Sequence, residues 1–477
     1  MPSVLFPIRT YLILLLVLLA GLVITFIHRA EYYDEAWFAE QSYWLIHSGQ
    51  VKSTMFRNYN GWNQGIFVFH KLFIYAGALI MSATGVSVAT NKLVSILFGL
   101  LGGYLVWLSG RSASREQQWL SVLLYFGCGT LIRFISVNRP ETMCMAIGFA
   151  SYLAIDPPKR WRSKPIWAGL FAGLSALTHL NGIIYLIAGA VWLWLKVGWR
   201  AMLVFSVAGA LTLSLYGFDA LLAGQIGTLI DQFRNDPATQ ENFGLMAKLT
   251  VMADFHQIFF HSQNEAALSV LVLLCAILFR KQIARTDPLL LYTWLLIGSF
   301  WLLTKSSTDI YFLLFLPWLS ILAANWLITY LPYQPVWQRR LMQVLVIGYL
   351  LVSAIQFREV IVENRTVPDT EQHNALLASH MPHKHTRVIA PLEFFFGQME
   401  TYQIWGLTYY LFLAKKRKDL PLNDFFRLAE QEQVEYIISD HRLNASYDIP
   451  ISAPITIGSY RRIFQDEWNT IYARQEK

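Results

Sequence analysis

Long apolar runs alternate with short polar clusters over the first three quarters of the chain. A helix needs about 20 apolar residues to cross the hydrocarbon core of a bilayer, and most of these runs approach that length. The pattern therefore predicts a mainly α-helical, polytopic membrane bundle of about eleven spans. The predicted spans cover residues 11–27, 91–110, 118–136, 140–155, 165–178, 182–197, 200–222, 266–279, 288–304, 310–330 and 341–357.

Residues 66–85 are harder to assign, because their unbroken apolar stretch, residues 72–81, is only ten residues long. Ten residues are too few to span a bilayer. If this segment stays on the outer face, the basic cluster around Arg160 falls on the same side as Arg9, as the positive-inside rule requires of cytoplasmic loops. We therefore predict one long outer loop, residues 29–90, that carries an interfacial or re-entrant helix. An ordinary span at residues 66–85 is the alternative.

After a transmembrane domain over residues 1–357, residues 358–477 have the composition of a soluble domain. Arg387–Ala390 and Val434–Ser439 have the pattern of short strands, and Asp424–Glu432 has that of a helix. We therefore predict a small C-terminal α/β domain, and an odd number of spans places it on the extracytoplasmic side.

The composition supports a membrane protein and excludes two other classes. Of the 477 residues, 55% are hydrophobic and only 14% are charged, which is more apolar surface than a soluble protein of this length can bury. The net charge of +7 comes from Lys and Arg between apolar runs, which favours membrane topology over nucleic-acid binding. The three cysteines lie inside apolar runs, so we predict buried small side chains and not a disulfide framework.

Unusual polar residues cluster near the predicted outer ends of the spans. A charge held within the hydrocarbon costs about 2.5 to 3.5 kcal/mol, so ionisable groups near span ends indicate a cavity or a substrate path. Asp34 and Glu35 directly follow the first span and begin a stretch with a helical pattern; capping of that helix is the simpler explanation for them. The other candidates are Arg139, Glu141, His179, Asn181 and Lys305.

Five segments resemble the GT-C glycosyltransferases, most of all the group of protein O-mannosyltransferases and lipid A aminoarabinose transferases. The most specific segment is residues 32–49, Tyr-Tyr-Asp-Glu-Ala-Trp-Phe-Ala-Glu-Gln-Ser-Tyr-Trp-Leu-Ile-His-Ser-Gly. Weaker similarities are at residues 84–93, at Asn-Arg-Pro-Glu over residues 138–141, at residues 173–182 and at residues 309–317. The similarity covers about residues 8 to 330.

This resemblance implies an enzyme that takes a sugar from a polyprenyl-phosphate carrier and transfers it, with inversion, to a glycan, lipid or protein acceptor at the outer face of the cytoplasmic (inner) membrane. Asp34 matches the first-loop aspartate that acts as general base, and Glu35 is its neighbour. Arg139 and Lys305 are candidates for stabilising the departing phosphate; snorkelling at the membrane edge is the alternative role for each. Four further residues are candidates for substrate binding: Glu141, His179, Asn181 and Tyr311.

Two features depart from this family. The first loop lacks the acidic-Lys-Pro-Pro segment of the aminoarabinose transferases in the stretch that begins at Arg57, and Ile310 stands where a basic residue often precedes the tyrosine of the tenth span. No cofactor is certain. A divalent metal is an open alternative, with His256 and His261 as weak candidate ligands, although their five-residue spacing does not place them on one helical face.

A transporter or flippase of lipid-linked saccharides is the alternative function. Transporters usually hold ionisable groups near the bilayer midplane in broken helices, often in two related halves. Here the polar groups are predicted at the outer boundary and no half-repeat is visible, which favours a transferase. The chain also lacks a Gly-rich phosphate loop and a Walker motif, which argues against a cytosolic nucleotide donor.

Overall fold

The computed structural model describes residues 5–29, 33–57, 59–110, 113–155, 164–236, 244–283, 287–410, 420–441 and 449–475. The chain divides into two compact units. The first consists of residues 1–28, 70–73 and 92–364, and the second of residues 29–69, 74–91 and 365–477.

The first unit is helical. Its α-helices are Ile8–Thr25, Arg115–Phe126, Gly129–Phe134, Glu141–Ile155, Pro165–Thr178, Ile183–Lys196, Trp199–Ser214, Phe218–Leu222, Ile226–Arg234, Leu245–Ala253, Gln257–Phe260, Gln263–Leu278, Pro288–Leu303, Leu316–Tyr330 and Val336–Thr366, together with most of Val88–Ser109. Short 3-10 helices cover Leu180–Gly182, Leu215–Gly217, Asp254–His256, Asp309–Phe315 and Leu331–Tyr333. A helix therefore lies at each predicted span.

Only some of these helices are long and apolar enough, by length and composition alone, to cross a membrane. Five such segments are found among the described residues: Ile8–Thr25, Val88–Ser109, Trp199–Leu222, Asp309–Tyr333 and Val336–Ser379. A sixth arises if the pair Leu245–Phe260 and Gln263–Leu278, bent by 88°, counts as one span. The chain is a multi-pass membrane protein, and the number of eleven spans stays a prediction.

A buried aromatic cluster around Trp318 forms part of the core of the first unit. The Trp318 indole is fully buried and stacks on the rings of Tyr185, at 5.5 Å, and Tyr292, at 5.8 Å. Phe149 meets the same indole edge-on at 5.0 Å. The Tyr185 hydroxyl donates to the carbonyl of Leu314 over 2.9 Å, which satisfies its one buried donor. The cluster fixes Leu316–Tyr330 against the helices that carry the other three rings. The three cysteines are buried and free, as predicted.

The second unit contains a six-stranded sheet. Its strands are β1 (Arg387–Ala390), β2 (Gln403–Gly406), β3 (Tyr436–Ile438), β4 (Thr456–Ile457), β5 (Tyr460–Gln465) and β6 (Thr470–Arg474), and their order in the sheet is β2-β1-β3-β6-β5-β4. β1 is parallel to β2 and β3, whereas the pairs β3–β6, β5–β6 and β4–β5 are antiparallel. The helices Thr370–Ser379 and Leu422–Gln431 complete the C-terminal part. Both predicted strands and the predicted helix are found, although β3 is shorter than the predicted strand at residues 434–439 and the helix begins at Leu422 and ends at Gln431.

The second unit also includes most of the first loop. Its helices are Tyr33–Ser48, which contains the predicted helical stretch, and most of Lys71–Thr84. The backbone N–H of Gly406 donates to the carbonyl of Met55 over 2.8 Å, and the ring of Tyr43 lies 5.8 Å from that of Phe395. First-loop and C-terminal residues thus pack as one compact unit. The predicted domain division at residue 357 stays a prediction. The extracytoplasmic position of the first loop and the C-terminal residues also stays a prediction.

Candidate active site

In the first unit, Arg139 and Glu141 form an ion pair where the helix Glu141–Ile155 begins. Nε and Nη2 of Arg139 lie 3.3 and 3.1 Å from the two carboxylate oxygens of Glu141, whose side chain is 1% exposed. The Arg139 backbone is anchored as well, because the Ser95 hydroxyl donates to its carbonyl over 2.9 Å and accepts from its N–H over 3.2 Å. Glu141 therefore occupies one edge of the Arg139 guanidinium. The sequence analysis names both residues but does not predict that they pair.

His179 extends this cluster from the turn after the helix Pro165–Thr178. The backbone N–H of Asn181 donates to Nδ1 of His179 over 3.0 Å, so the ring proton of the neutral imidazole is on Nε2, which lies 4.0 Å from Oε1 of Glu141. The Tyr311 ring meets the imidazole edge-on at 5.9 Å. The structure thus brings together four predicted residues: Arg139, Glu141, His179 and Tyr311. Asn181 contributes its backbone.

His70 also belongs to this cluster, although the sequence shows it only as a polar interruption of an apolar run. Its ring stacks on that of His179 with a centroid distance of 4.7 Å and an interplanar angle of 17°. Burial lowers the pKa of His179 to about 3, with a further contribution from the Arg139 charge. Burial, then the neighbouring His179, lowers the pKa of His70 well below its ordinary value. Both rings are therefore neutral at pH 7 and can donate or accept hydrogen bonds.

A second ion pair in the first unit joins Lys71 and Asp219. The Lys71 ammonium lies 2.6 Å from Oδ2 of Asp219, and its side chain is 5% exposed. The ammonium is also 5.2 Å from the centre of the Tyr216 ring. Burial lowers the pKa of Lys71 to about 8, while Asp219 acts in the opposite direction. The signal that could have identified Lys71 is a charge at the edge of an apolar run too short to span.

Lys305, the other predicted phosphate ligand, differs from Arg139 and Lys71 in its surroundings. It is exposed, between the helix Pro288–Leu303 and the 3-10 segment Asp309–Phe315. Over the described residues the structure shows no hydrogen bond or ion pair of its side chain. Its role in phosphate binding stays a prediction.

In the second unit, Asp34 and Glu35 occupy the first turn of the helix Tyr33–Ser48. Asp34 is half-buried, whereas Glu35 is 1% exposed. The amide of Asn91, which belongs to the same unit, donates to the backbone carbonyl of Glu35 over 3.4 Å. Of the two carboxylates, only that of Asp34 is partly accessible. Their predicted catalytic roles stay predictions.

The same helix carries a fully buried carboxylate that the sequence pattern does not single out, Glu40. It accepts from the hydroxyl of Ser53, from the N–H and hydroxyl of Thr54 at 2.6 and 3.0 Å, from the N–H of Met55 at 3.1 Å and from the Trp44 indole at 3.2 Å. Burial raises the pKa of Glu40, and these donors stabilise its anion. Glu40 therefore fixes residues 53–55 of the first loop to the helix Tyr33–Ser48.

An aromatic group packs on this helix one turn after Asp34. The Trp37 ring stacks on Trp62 with a centroid distance of 5.0 Å and an angle of 22°, and Phe56 meets both rings edge-on at 5.5 Å. Trp62 is 3% exposed. Stacked and edge-on rings of this kind resist displacement, so the start of the helix has a rigid support.

The two predicted metal ligands lie on a short helical stretch of the first unit, where His256 ends the 3-10 segment Asp254–His256 and His261 follows the helix Gln257–Phe260. His256 and His261 are exposed, and Nδ1 of His256 lies 3.0 Å from the carbonyl of Ala253. Within the described parts of the chain, no group of three or more His, Cys, Asp or Glu side chains is placed to hold a metal ion.

Comparison with solved structures shows which known fold these helices and this sheet have. ArnT from Cupriavidus metallidurans in the apo state aligns over 97% of this chain and 97% of its own, with a TM-score of 0.66 and 12% identity. The same protein bound to undecaprenyl phosphate aligns over 98% and 97%, with a TM-score of 0.64 and 12% identity. The apo oligosaccharyltransferase of Archaeoglobus fulgidus aligns over 90% of this chain and 69% of its own, with a TM-score of 0.53 and 12% identity.

These neighbours are GT-C glycosyltransferases, so the predicted resemblance is confirmed for the fold. No protein-family model matches the sequence, and the search of curated proteins returns no match.

Proposed function

We propose that the chain is an integral-membrane glycosyltransferase that moves a sugar from a polyprenyl-phosphate carrier to an acceptor at the outer face of the cytoplasmic membrane, with inversion at the anomeric carbon. The observation that carries this proposal is the alignment of both units with ArnT, over 97% of each chain. An ArnT structure holds undecaprenyl phosphate, a lipid of the carrier class proposed here.

Asp34 is the proposed general base. An acceptor hydroxyl is a poor nucleophile until a positioned carboxylate removes its proton as the new glycosidic bond forms. The Asp34 side chain is partly accessible, whereas Glu35 and Glu40 on the same helix are buried. Glu40 and the Trp37–Trp62 stack hold this helix in place, which preorganises the base.

The leaving lipid phosphate gains negative charge as the bond to the anomeric carbon breaks, so the reaction needs a cation beside it. Arg139 and Lys305 are the sequence candidates, and Lys71 is a third. Glu141 occupies one edge of the Arg139 fork, and Asp219 faces Lys71, so each of these two cations is preorganised by a carboxylate. The neutral rings of His70 and His179 beside Arg139 are proposed to bind sugar hydroxyls.

Mass spectrometry of lipid-linked sugars and surface glycans tests this proposal in cells with wild-type protein, Asp34→Asn protein or none. We expect one carrier-bound sugar to accumulate and one surface decoration to disappear when the protein is absent or carries Asp34→Asn. Asp424→Asn is the matched control and should behave as wild type, because the Asp424 side chain is 41% exposed and lies on the helix Leu422–Gln431. A glycan profile that does not depend on the protein would exclude the transferase. If Asp34→Asn instead transfers the sugar like the wild type, the base assignment is wrong.

A further inference from the structure

A cleft in the second unit lies between the helix Thr370–Ser379 and the turn that precedes β6. The cleft is open to solvent on one side. Its lining includes His373, Asn374, Glu393, Trp468 and Asn469. None of the sequence predictions and no step of the proposed reaction uses these residues.

Asn374 provides a buried acceptor on the cleft wall. Its side chain is 3% exposed, and its amide nitrogen donates to the carbonyls of Glu393 and Phe396 over 2.8 and 3.0 Å. Those two bonds fix which way the amide faces. Within the described residues, the structure shows no hydrogen bond to Oδ1 of Asn374, which can therefore accept from a ligand.

His373 provides a second polar group of fixed orientation. Its Nε2 lies 2.7 Å from Oδ1 of Asn469, and the amide nitrogen of Asn469 donates to the carbonyl of Ser439 over 2.6 Å. Because Asn469 must accept from His373, the Nε2 atom carries a proton. Nδ1 of His373 makes no hydrogen bond in the described part of the chain, so it remains for a ligand.

Trp468 contributes a flat apolar surface to the lining of the same cleft. Its indole is half-buried, and Oδ1 of Asp466 accepts from the backbone N–H groups of Trp468 and Asn469 over 2.8 and 2.6 Å. These two hydrogen bonds fix the backbone of the turn that carries the indole. A half-exposed, rigidly mounted indole is suited to stacking against a flat apolar face of a ligand.

We propose that this cleft binds a neutral saccharide unit of a glycan acceptor. A pyranose ring combines an apolar face of C–H groups, which matches the negative face of an indole, with a rim of hydroxyls that donate and accept hydrogen bonds. Three groups of the cleft can hydrogen-bond to these hydroxyls: Nδ1 of His373, Oδ1 of Asn374 and the carboxylate of Glu393. Of the described residues that line the cleft, none is Lys or Arg and one is Glu, which disfavours a phosphate or another anion.

The cleft is built on the same unit as Asp34. The 3-10 segment Leu392–Phe395 supplies Glu393 to the cleft, and its last residue, Phe395, lies 5.8 Å, ring to ring, from Tyr43 on the helix Tyr33–Ser48. A glycan chain held in the cleft is thus attached to the unit that carries the proposed base. This inference rests on the proposed transferase function, because it identifies the cleft as a subsite for the acceptor.

The test uses the full-length protein, immobilised in detergent micelles, and neutral oligosaccharides released by mild acid from the surface glycans of the producing cells. Retained fragments are quantified by mass spectrometry. Wild-type protein should retain a defined set of fragments, and Trp468→Ala and His373→Ala should each reduce retention about fivefold or more. Trp468→Phe, which keeps an aromatic face, should recover most of the retention. Ile463→Ala, at a 45% exposed position on β5, is the matched control.

The outcomes separate this inference from the proposed function. Thermal unfolding of each variant in the same micelles shows that it is folded, and Asp34→Asn should retain fragments as the wild type does while it fails to transfer sugar. If the wild type retains no fragments, or if folded Trp468→Ala retains as many as the wild type, the cleft is not a saccharide site. If retention follows Trp468 and Asp34→Asn remains active, the saccharide site stands and the proposed base is wrong.

Discussion

The guanidinium of Arg139 donates two hydrogen bonds, of 3.3 and 3.1 Å, to the buried carboxylate of Glu141, although only one residue separates the two in the chain. That residue is Pro140, which precedes the first helical residue, Glu141. The pair fixes the start of the helix Glu141–Ile155 and places Oε1 of Glu141 4.0 Å from His179. A cation held in this way keeps its orientation when a charged ligand arrives, which favours preorganised stabilisation of a leaving group.

Replacing the proposed base should abolish transfer with little effect on folding. Asp34 is half-buried at the start of its helix, so Asp34→Asn keeps the shape of the side chain and removes its ability to take a proton. We expect the rate of transfer to fall by about 100-fold or more, the scale of a lost general base. Sugar transfer by purified protein in micelles measures this rate. A fall of less than about threefold would return Asp34 to a capping role.

Removing the Glu141 carboxylate should destabilise the first unit. Glu141→Gln leaves the Arg139 charge, 20% exposed, without its partner, which costs roughly 3 kcal/mol. Arg139→Lys should also lower the stability of the protein, because an ammonium cannot bind both carboxylate oxygens of Glu141 as the planar guanidinium does. Thermal unfolding in detergent micelles compares these variants with Lys305→Gln, at an exposed position. Equal unfolding temperatures for Glu141→Gln and the wild type would show that the ion pair contributes nothing to stability.

The stacked imidazoles should make the protein sensitive to acid. The pKa of His179 is lowered to about 3 in the folded protein from an ordinary value of 6.5, and that of His70 is lowered in the same direction. The unfolded chain therefore binds protons that the folded protein does not, and stability that is complete above pH 6.5 is lost as the pH falls toward 3. Unfolding temperatures between pH 7 and pH 4 should fall less steeply for His70→Asn than for the wild type. Exposed His256→Gln is the control and should keep the wild-type profile.

The lowered pKa of Lys71 predicts how the rate of sugar transfer changes at alkaline pH. Its pKa is lowered to about 8, so the ammonium loses its charge as the pH rises through that value. If Lys71 stabilises the lipid phosphate, transfer should decline above pH 8, whereas Lys71→Arg should stay active there because a guanidinium keeps its charge. Rates measured from pH 7 to pH 10 for both proteins give the comparison. Superimposable profiles would exclude a role for the Lys71 charge.

Glu40 should be essential for the position of the first loop. Its carboxylate accepts from the hydroxyls of Ser53 and Thr54 and from the backbone N–H groups of Thr54 and Met55. Glu40→Gln replaces one acceptor oxygen with a donor that faces other donors, so we expect a loss of about 2 kcal/mol or more. Thermal unfolding and transfer assays should both register the change. Exposed Glu432→Gln, directly after the helix Leu422–Gln431, provides the comparison for a carboxylate outside this network and outside the cleft.

Much of the secondary structure could be predicted from the sequence alone. Apolar run length located the helices at the predicted spans, although it missed Ile226–Arg234 and Leu245–Ala253 between two of them. Strand periodicity located Arg387–Ala390 and the strand Tyr436–Ile438. Both signals are local, since they depend on which side chains recur within one helical turn or one pleat. The segment that begins at Asp34 carried enough local pattern to predict its helix, and the family resemblance predicted the fold.

The grouping of distant residues could not be predicted, because it depends on packing between elements rather than on periodicity within them. His70 stacks on His179, and Lys71 reaches Asp219, across long stretches of intervening chain. Likewise, nothing local to Glu40 indicates that residues 53–55 fold back onto it. The sequence determined where apolar helices form, because hydrophobic burial acts on each run separately. Only the tertiary structure decided which polar groups share one buried environment, because that requires the helices that carry them to pack together.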